Sequence, residues 1–262
     1  MRVPLNKEKA LQSLVKRLKE NGNNKKYDCV IGVSGGVDST YLAYIIKNLG
    51  LRPLAVHLDN GWDAELAVSN IQKVLNKLNI ELYTHVLDWE EFKALQVAFL
   101  KASTPDSEIP TDHAIFAVLR EMAAKEGVPI IAGTNHSSES ILPRAWSQGY
   151  SDWAYIKQVY KSYGKGRIKT FPHTSLIKKF YYDRIIRQKT YSVLDFIDYD
   201  KEKAKLFLIN ELGYGITGVS TIESIYTRFF QSYILPTKFG FDKRRAHLSS
   251  LIIAKQITEA RL

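Results

Sequence analysis

The sequence predicts an α/β fold, with an open parallel sheet followed by a smaller and mainly helical C-terminal region. Short apolar strands, such as Tyr27–Val33 and Pro53–Leu58, alternate with amphipathic segments through the first half of the 262 residues. Such alternation is typical of βαβ units, whose strands run parallel. Near residue 145 the alternation stops and aromatic residues become dense. We therefore predict two regions, residues 1–145 and residues 146–262.

Hydrophobic spacing and stop residues define the elements in chain order. Leu11, Leu14, Val15 and Leu18 have the i, i+3, i+4, i+7 spacing of a helix. The first half then reads as a strand over 27–33, a helix near 42–49, a strand over 53–58, a helix over 64–78, a strand over 81–86, a helix over 112–125 and a strand over 128–132. Farther along, the pattern predicts a strand or turn with a helix within 195–212, and helices over 227–230 and 246–257.

The net charge of +10 is distributed unevenly along the chain. Residues 1–150 carry 17 basic and 17 acidic side chains, whereas residues 151–262 carry 20 basic and 10 acidic ones. A cationic region either binds an anionic partner or forms a solvated basic surface. The anionic partner would be a nucleic acid, a phosphorylated small molecule or an acidic protein.

The single cysteine, Cys29, excludes a disulfide framework and a cysteine-rich metal site. Its place inside an apolar strand indicates a small core residue rather than a carrier of sulfur. The apolar runs are too short for a transmembrane helix, and the first residues do not read as a secretory signal. We expect a cytoplasmic protein without membrane insertion.

The hexapeptide Ser34–Ser39 (SGGVDS) joins the first strand to the next helix and has the composition of a phosphate cradle. Gly35 and Gly36 allow backbone conformations closed to other residues and let an anion approach the chain closely. Consecutive N–H groups and the positive end of the following helix attract phosphate, and the two serines add hydroxyl donors. Asp38 is either the cap of that helix or a ligand of Mg²⁺ beside bound phosphates.

This hexapeptide resembles the signature of the PP-loop ATP pyrophosphatases, whose fold is the Rossmann-like, adenine-nucleotide α-hydrolase type of open parallel sheet. The resemblance implies that ATP, with Mg²⁺, is split to AMP and pyrophosphate while a carbonyl or amide oxygen is adenylated. It implies ATP contacts at Ser34, Gly35, Gly36, Val37, Asp38, Ser39, His57, Asp59, Gly133 and Thr134. It also implies a metal site at Asp38 and Glu139.

Longer motifs resemble the N-acetyl sugar amidotransferases of surface-polysaccharide biosynthesis, and this resemblance covers nearly the whole chain. The motifs read PTDHAI at 110–115, GTN at 133–135, TRFFQSYILP at 227–236 and KFGFDKRRAHLSS at 238–250. The family implies conversion of an acetamido group on a nucleotide-linked sugar to an acetamidino group, through an O-adenylyl intermediate that ammonia attacks. It also implies partner subunits, a glutaminase and a cyclase-like protein, that supply the ammonia.

Charge that develops at the α-phosphate requires cations, so Lys243 and Arg244 join Asp38 as catalytic candidates. Glu223 is a fourth candidate. The predicted substrate-binding residues are Asp112, His113, Asn135, His173 and Arg245. Structural alternatives stay open for these residues. Asp112 also suits a helix cap, and His173 could be a structural histidine. The three consecutive cations at 243–245 could form the solvated start of a helix.

Two other functions remain open. A tRNA-modifying PP-loop enzyme would explain the basic half but not the C-terminal motifs. A nucleotide-binding subunit without activity, within a polysaccharide-assembly complex, is suggested by residues 215–222, where the Lys and His of the amidotransferase motif Tyr-Gly-Gly-Lys-His-x-Glu-Ser are missing. We favour the amidotransferase, for which nucleic acid is not an expected partner.

Overall fold

The structure is a computed structural model that describes residues 6–134, 146, 149–215 and 224–253. Within these ranges one sheet contains five strands: β1 (Cys29–Gly32), β2 (Pro53–Asp59), β3 (Glu81–Val86), β4 (Ile130–Ala132) and β5 (Thr190–Ser192). Their order is β3–β2–β1–β4–β5, and every pairing is parallel. The predicted α/β class with a parallel sheet is confirmed.

Helices connect and follow these strands. They are α1 (Lys7–Gly22), α2 (Val37–Asn48), α3 (Glu65–Leu78), α4 (Trp89–Ala102), α5 (Ile109–Glu126), α6 (Trp153–Tyr163), α7 (Leu176–Phe180), α8 (Lys201–Leu212), α9 (Ile225–Phe229) and α10 (Lys243–Ile253). Helices α7 and α9 continue into wider π-type turns at Tyr181–Ile185 and Phe230–Phe239, and a 3-10 turn spans Val193–Phe196. None of the helices in the described ranges is long and apolar enough to cross a membrane.

Helices cover both faces of the sheet, because successive side chains of its strands enter two different cores. In β1, Cys29 and Ile31 enter the first core, whereas Val30 enters the second. Helices α1, α2, α3 and α8 complete the first core, and α4, α5 and α6 complete the second. Cys29 is fully buried, as expected for a small core residue.

The strand order reverses at β1, and this reversal positions the site. The chain adds β2 and then β3 on one side of β1, and later places β4 on the other side. In an open α/β sheet, such a reversal leaves a crevice at the carboxyl ends of the two central strands, where ligands bind. Here those two strands are β1 and β4.

A charged clamp ties the opposite, amino ends of β1 and β2. The buried carboxylate of Asp28 accepts hydrogen bonds from the Arg52 backbone N–H at 2.7 Å and from its guanidinium at 2.7 and 3.2 Å. The same guanidinium donates to the carbonyls of Gly22 and Lys25. One arginine therefore joins the end of α1 to the starts of two strands.

Three helices, α4, α6 and α7, and one strand, β5, lie outside the sequence predictions. Helix α4 buries Phe92, Leu95 and Phe99, whose i, i+3, i+7 spacing is a helical signal that the sequence does contain. Strand β5 has three residues at the sheet edge and no apolar alternation that would reveal it. The division at residue 145 stays a prediction, although the sheet draws its fifth strand from beyond it.

One carboxylate holds the chain that leads from α6 towards α7. Glu91 accepts hydrogen bonds from the backbone N–H groups of Lys169, Thr170 and Phe171 at 2.7–3.0 Å, and from the Thr170 hydroxyl. Burial alone would raise the pKa of Glu91, but these hydrogen bonds lower it on balance. The ionised carboxylate therefore stabilises the fold.

We expect Glu91→Gln to lower the free energy of unfolding by about 1–3 kcal/mol at neutral pH, because one charged acceptor serves three N–H groups. Since folding lowers the pKa of Glu91, its contribution is present above the pKa of the unfolded chain and is lost as the pH falls through the folded value. Denaturant unfolding at several pH values measures this. The neighbouring Glu90→Gln is the matched control, and an equal loss in that variant would contradict the assignment.

Candidate functional site

The loop between β1 and α2 has a backbone that only glycine permits at one position. Gly35 has φ of +83°, and a Cβ atom there would lie 2.6 Å from the carbonyl oxygen of Ala67 in α3. An L-residue at this position would be strained and would clash with backbone. The loop is therefore pressed against the start of α3.

The two serines of this loop face each other across it. Their hydroxyl oxygens, Ser34 Oγ and Ser39 Oγ, are 3.1 Å apart, and the Ser34 N–H donates to Ser39 Oγ at 3.2 Å. Gly36 precedes the first residue of α2, and no side chain in the described ranges caps this helix. Free N–H groups at a helix start, flanked by hydroxyls, form a cradle for an anion.

Asp38, in the first turn of α2, is held by two residues from the far end of the chain. The Tyr199 hydroxyl donates to Asp38 Oδ1, and Lys201 Nζ lies 2.7 Å from Asp38 Oδ2. These contacts arise because α8 packs beside α2, with the Tyr41 and Tyr199 rings 5.9 Å apart. No sequence pattern predicts this contact, and Tyr199 and Lys201 are not among the predicted site residues.

The end of α8 returns to the same loop. The Tyr214 hydroxyl donates to the Gly35 carbonyl at 2.8 Å. The buried amide of Asn70, in α3, binds both the N–H and the carbonyl of Gly215, at 2.7 and 3.0 Å. Residues 199–215 therefore line the loop Ser34–Ser39 on the side of α2 and α3.

The end of β2 supplies His57 and Asp59, two of the predicted ATP contacts. His57 is buried, donates from Nδ1 to the Val33 carbonyl at 2.9 Å, and has Nε2 3.5 Å from Asp63 Oδ2. Burial opposes protonation of His57, but Asp63 and the Val33 carbonyl outweigh it and raise its pKa. Asp59 Oδ1 accepts the Gly61 N–H at 3.0 Å. Both side chains thus stabilise the backbone at the carboxyl ends of β1 and β2. Their contact with ATP stays a prediction.

The end of β4 lies against the loop. A Cβ atom on Gly133 would be 3.4 Å from the Ser39 Cα, an ordinary van der Waals distance, so the residue after β4 packs closely against the first turn of α2. Thr134 Oγ1 is 3.5 Å from Ser192 Oγ of β5. Three further predicted site residues, Asn135, Glu139 and Glu223, lie outside the described residues.

A second group of contacts joins the C-terminal segment to the start of α5. Because α5 leads into β4 and runs opposite to it, α5 begins at the carboxyl edge of the sheet. The partly buried Glu108 carboxylate accepts from the Thr227 hydroxyl and from Gln231 Nε2 at 3.0 Å, and lies 3.9 Å from Lys243 Nζ. Residues of two C-terminal motifs therefore meet on one carboxylate, which the sequence interpretation did not identify.

Other contacts of this segment reach the same edge. The Tyr226 and Ser107 hydroxyls share a hydrogen bond of 2.5 Å, and the Ile225 N–H donates to the Trp62 carbonyl at 3.0 Å. Asp63 and Ser224 form an antiparallel bridge. The segment that starts at Ser224 is thus anchored to the ends of both β2 and the chain before α5.

Asp112 lies in the first turn of α5 and is not the helix cap, because the cap residue is Glu108. This corrects the capping alternative. Burial raises the pKa of Asp112 to about 8, with the Glu108 and Asp106 carboxylates adding to the effect and Lys243 opposing it. Asp112 is therefore a carboxyl group that holds its proton near neutral pH. Its contact with substrate stays a prediction.

The two predicted substrate histidines meet in an aromatic stack. His113 donates from Nδ1 to the Tyr150 carbonyl at 2.6 Å and accepts the Thr174 N–H on Nε2 at 3.2 Å, so its ring is held neutral. Burial lowers the pKa of His113, and His173 lowers it further. The Trp153 ring stacks on His113 and, at 4.4 Å, on His173. These contacts hold both histidine rings in place, and the contact of His113 and His173 with substrate stays a prediction.

The three consecutive cations have different surroundings. Lys243 is mostly buried against Glu108, close to Asp112. Arg244 makes three hydrogen bonds of 2.8–3.0 Å to the Asp242 carboxylate. Arg244 and Arg245 are both exposed. Lys243 is therefore the one of the three that the fold brings beside other predicted site residues.

Two family models match this chain. Residues 7–179 match the family of NAD synthase, and residues 223–261 match the C-terminal domain of WbpG-like LPS biosynthesis proteins. The chain belongs to the NAD synthase family. Its place among the PP-loop ATP pyrophosphatases, which the hexapeptide at 34–39 suggested, is thereby confirmed.

Individual relatives agree with this placement. The NH(3)-dependent NAD(+) synthetase of Pyrococcus furiosus is 29% identical over 186 residues, covering 67% of this chain and 68% of the relative. The tRNA-specific 2-thiouridylases MnmA of Pediococcus pentosaceus and Hahella chejuensis are 28% and 32% identical, over 45% and 42% of this chain. The chain spans only about a third of the length of these thiouridylases.

Solved structures also align with the chain. The NH3-dependent NAD synthetase of Campylobacter jejuni aligns with a TM-score of 0.39 and 17% identity, over 60% of this chain and 73% of the other. The NMN synthetase of Francisella tularensis aligns with the same TM-score and identity, over 87% of this chain and 93% of the other.

The loop of this NAD synthase family member fits ATP phosphates and one magnesium ion. The loop offers two kinds of donor to an anion: the hydroxyls of Ser34 and Ser39, and the N–H groups at the uncapped start of α2. No side chain obstructs them at position 35, which is glycine. Within the described residues, no three His, Cys, Asp or Glu side chains cluster as a metal site. Magnesium bound to phosphates needs only one or two carboxylates. Asp38 would supply one by exchanging its contact with Lys201 for the metal.

We expect stability to depend on the Asp112 proton. Folding raises the pKa of Asp112 to about 8, so its contribution is full below the unfolded pKa of about 4 and is lost as the pH rises through 8. At pH 8.5, Asp112→Asn should therefore unfold with a free energy higher than wild type by about 1–3 kcal/mol. Denaturant unfolding between pH 5 and pH 9 measures this difference.

Two variants sharpen that test. Of the two neighbouring carboxylates, Glu108 has the larger effect on the Asp112 pKa. Glu108→Gln should therefore lower that pKa, which carboxyl NMR titration reports. Asp198→Asn changes a side chain that is 99% exposed and should leave the pH profile unaltered. A profile of Asp112→Asn that parallels wild type would show that Asp112 ionises normally in the folded protein.

Proposed function

We propose that this protein is an ATP-dependent amidotransferase, which converts the acetamido group of a nucleotide-linked N-acetyl sugar to an acetamidino group. The observation that carries the proposal is the docking of the C-terminal segment. The region that matches WbpG-like LPS biosynthesis proteins is anchored by Tyr226, Thr227 and Lys243 to the edge that presents the phosphate cradle. This arrangement supports joint use of ATP and a sugar substrate.

The reaction has two steps. The amide oxygen attacks the α-phosphorus of ATP, pyrophosphate leaves, and an O-adenylyl imidate forms. Ammonia then adds to the imidate carbon and AMP leaves with the former amide oxygen, after a proton passes from the nitrogen to a base. Adenylation makes the oxygen a leaving group, which it is not in the free amide.

The residues of the loop would hold the pyrophosphate during the first step. Ser34, Gly35, Gly36 and Ser39 supply hydroxyl and N–H donors, and Asp38 would bind the magnesium ion that offsets phosphate charge. Lys201, now paired with Asp38, adds a cation at the same place. Lys243 and the protonated Asp112 are the residues that would contact the acetamido group of the sugar. Asn135, Glu139, His173, Glu223, Arg244 and Arg245 keep their predicted roles as proposals.

Ammonia as the nucleophile is supported by the relative from Pyrococcus furiosus, which is an NH(3)-dependent synthetase. This chain's one cysteine is fully buried in β1, so it cannot serve as the nucleophile of a glutaminase. We propose that a partner glutaminase and a cyclase-like subunit supply the ammonia.

A tRNA-modifying enzyme is the second candidate, and the thiouridylase relatives together with the net charge of +10 favour it. Thiolation through this chain would need a reactive thiol, but burial raises the pKa of Cys29 far above its usual value. A tRNA enzyme of this kind would bind bulk tRNA with an affinity that falls steeply with salt.

The decisive assay measures pyrophosphate release with ATP, Mg²⁺, ammonia and a panel of N-acetylated nucleotide sugars. We expect release to require the acetamido group, and Asp38→Asn to reduce it at least about 100-fold, as loss of one preorganised electrostatic contact does. Asp198→Asn is the matched control and should keep full activity.

Three results would overturn this proposal in different ways. Release of phosphate in place of pyrophosphate would exclude adenylation. Turnover without a sugar but with tRNA would favour the second candidate. ATP binding without turnover on any sugar, with ammonia present, would favour the inactive subunit suggested by residues 215–222.

A further inference from the structure

An outer ridge of apolar side chains projects from α7 and the wide turn that follows it. The ridge consists of Leu176, Ile177, Phe180, Tyr181 and Ile185, which are between 47% and 83% exposed. Large apolar side chains this exposed and this close in sequence form a contiguous patch, which marks an interaction surface. No part of the nucleotide site lies on this ridge.

The inner face of the same segment explains why the ridge points outwards. Tyr182 is buried, with the Arg120 guanidinium over its ring. Asp183 binds Arg120 at 3.0 Å, and Lys178 Nζ lies 3.9 Å from Glu121 Oε2. These contacts fix one side of the helix to α5. On a helix, Leu176, Ile177, Phe180 and Tyr181 then lie together on the opposite side.

The charges around the ridge are almost all positive. Residues 164–189 contain eight Lys and Arg side chains and one acidic residue, Asp183. Asp183 is already paired with Arg120, and Lys179, Arg184, Arg187 and Lys189 are exposed beside the ridge. The surface therefore combines protruding apolar side chains with unbalanced positive charge.

We propose that the outer ridge binds the surface of an anionic lipid bilayer. A helix with a protruding apolar face and flanking cations lies in the interfacial plane, where its side chains enter the acyl region and its cations meet lipid phosphates. A second copy of this chain would bring like charges together across a two-fold axis, and the two nearby carboxylates, Asp183 and Glu121, already lie beside Arg120 and Lys178. Anionic lipid complements both features at once, and binding is peripheral without a membrane-spanning element.

The test is co-sedimentation of the full chain with vesicles. We expect binding to phosphatidylcholine vesicles that contain about 30% phosphatidylglycerol, weakening with salt, and no binding to pure phosphatidylcholine. The ridge variant, Ile177→Ser with Phe180→Ser, should bind about tenfold or more weakly, since two large apolar side chains no longer partition. The charge variant, Lys179→Gln with Arg184→Gln and Arg187→Gln, should lose the preference for anionic lipid.

A matched control changes exposed apolar residues elsewhere. Val86 and Leu206 are 67% and 59% exposed, on β3 and α8, and Val86→Ser with Leu206→Ser should bind vesicles as wild type does. Thermal unfolding checks that all variants are folded.

Four outcomes would overturn the proposal: no binding of wild type to either vesicle, equal binding to both, equal loss in the control, or unchanged binding of the ridge variant. If wild type ignores vesicles and is a dimer that the ridge variant converts to a monomer, the ridge is an interface between two copies.

Discussion

The central constraint in this fold is that β1 pairs in parallel with strands on both sides, β2 and β4. Parallel pairing brings the carboxyl ends of all three strands to one edge, and the reversal of strand order at β1 opens a crevice there. The loop Ser34–Ser39 lies at this edge, where Gly35 avoids a clash with the Ala67 carbonyl and Gly133 packs against Ser39. The candidate residues His57, Asp59, Gly133 and Thr134 lie at this same edge, at the ends of β2 and β4.

The C-terminal part of the chain completes the edge from two directions. Tyr199, Lys201 and Tyr214 reach the loop from the α2 side. Thr227 and Lys243 reach Glu108 from the α5 side. Both groups of contacts are long-range in sequence. Residues 199–214 hold the loop Ser34–Ser39, and the WbpG-like segment binds the start of α5 at the same edge of the sheet.

Local patterns predicted much of this. Apolar spacing predicted α1, α2, α3 and the first four strands, and the Gly-Gly motif predicted the loop between β1 and α2, whose binding of phosphate stays a prediction. What the patterns could not reveal depends on tertiary contact. Lys201 looks like any first-turn lysine until α8 packs on α2, and Glu108 looks like a loop acid until three C-terminal side chains converge on it. Strand β5 is too short and too polar to carry a periodic signal. Conversely, His113 and His173, singled out by residue type, are held by stacking and backbone hydrogen bonds.

The clamp of Arg52 on Asp28 lies at the amino ends of the strands, at the far side of the sheet from the phosphate loop. The clamp fixes the positions of the strands at their amino ends. It leaves the side chains at their carboxyl ends free to move, because the strands carry little change in charge from one end to the other. Substitutions at the carboxyl edge therefore leave this clamp intact. The residues that join the starts of β1 and β2 are separate from the residues of the loop Ser34–Ser39 at the opposite edge.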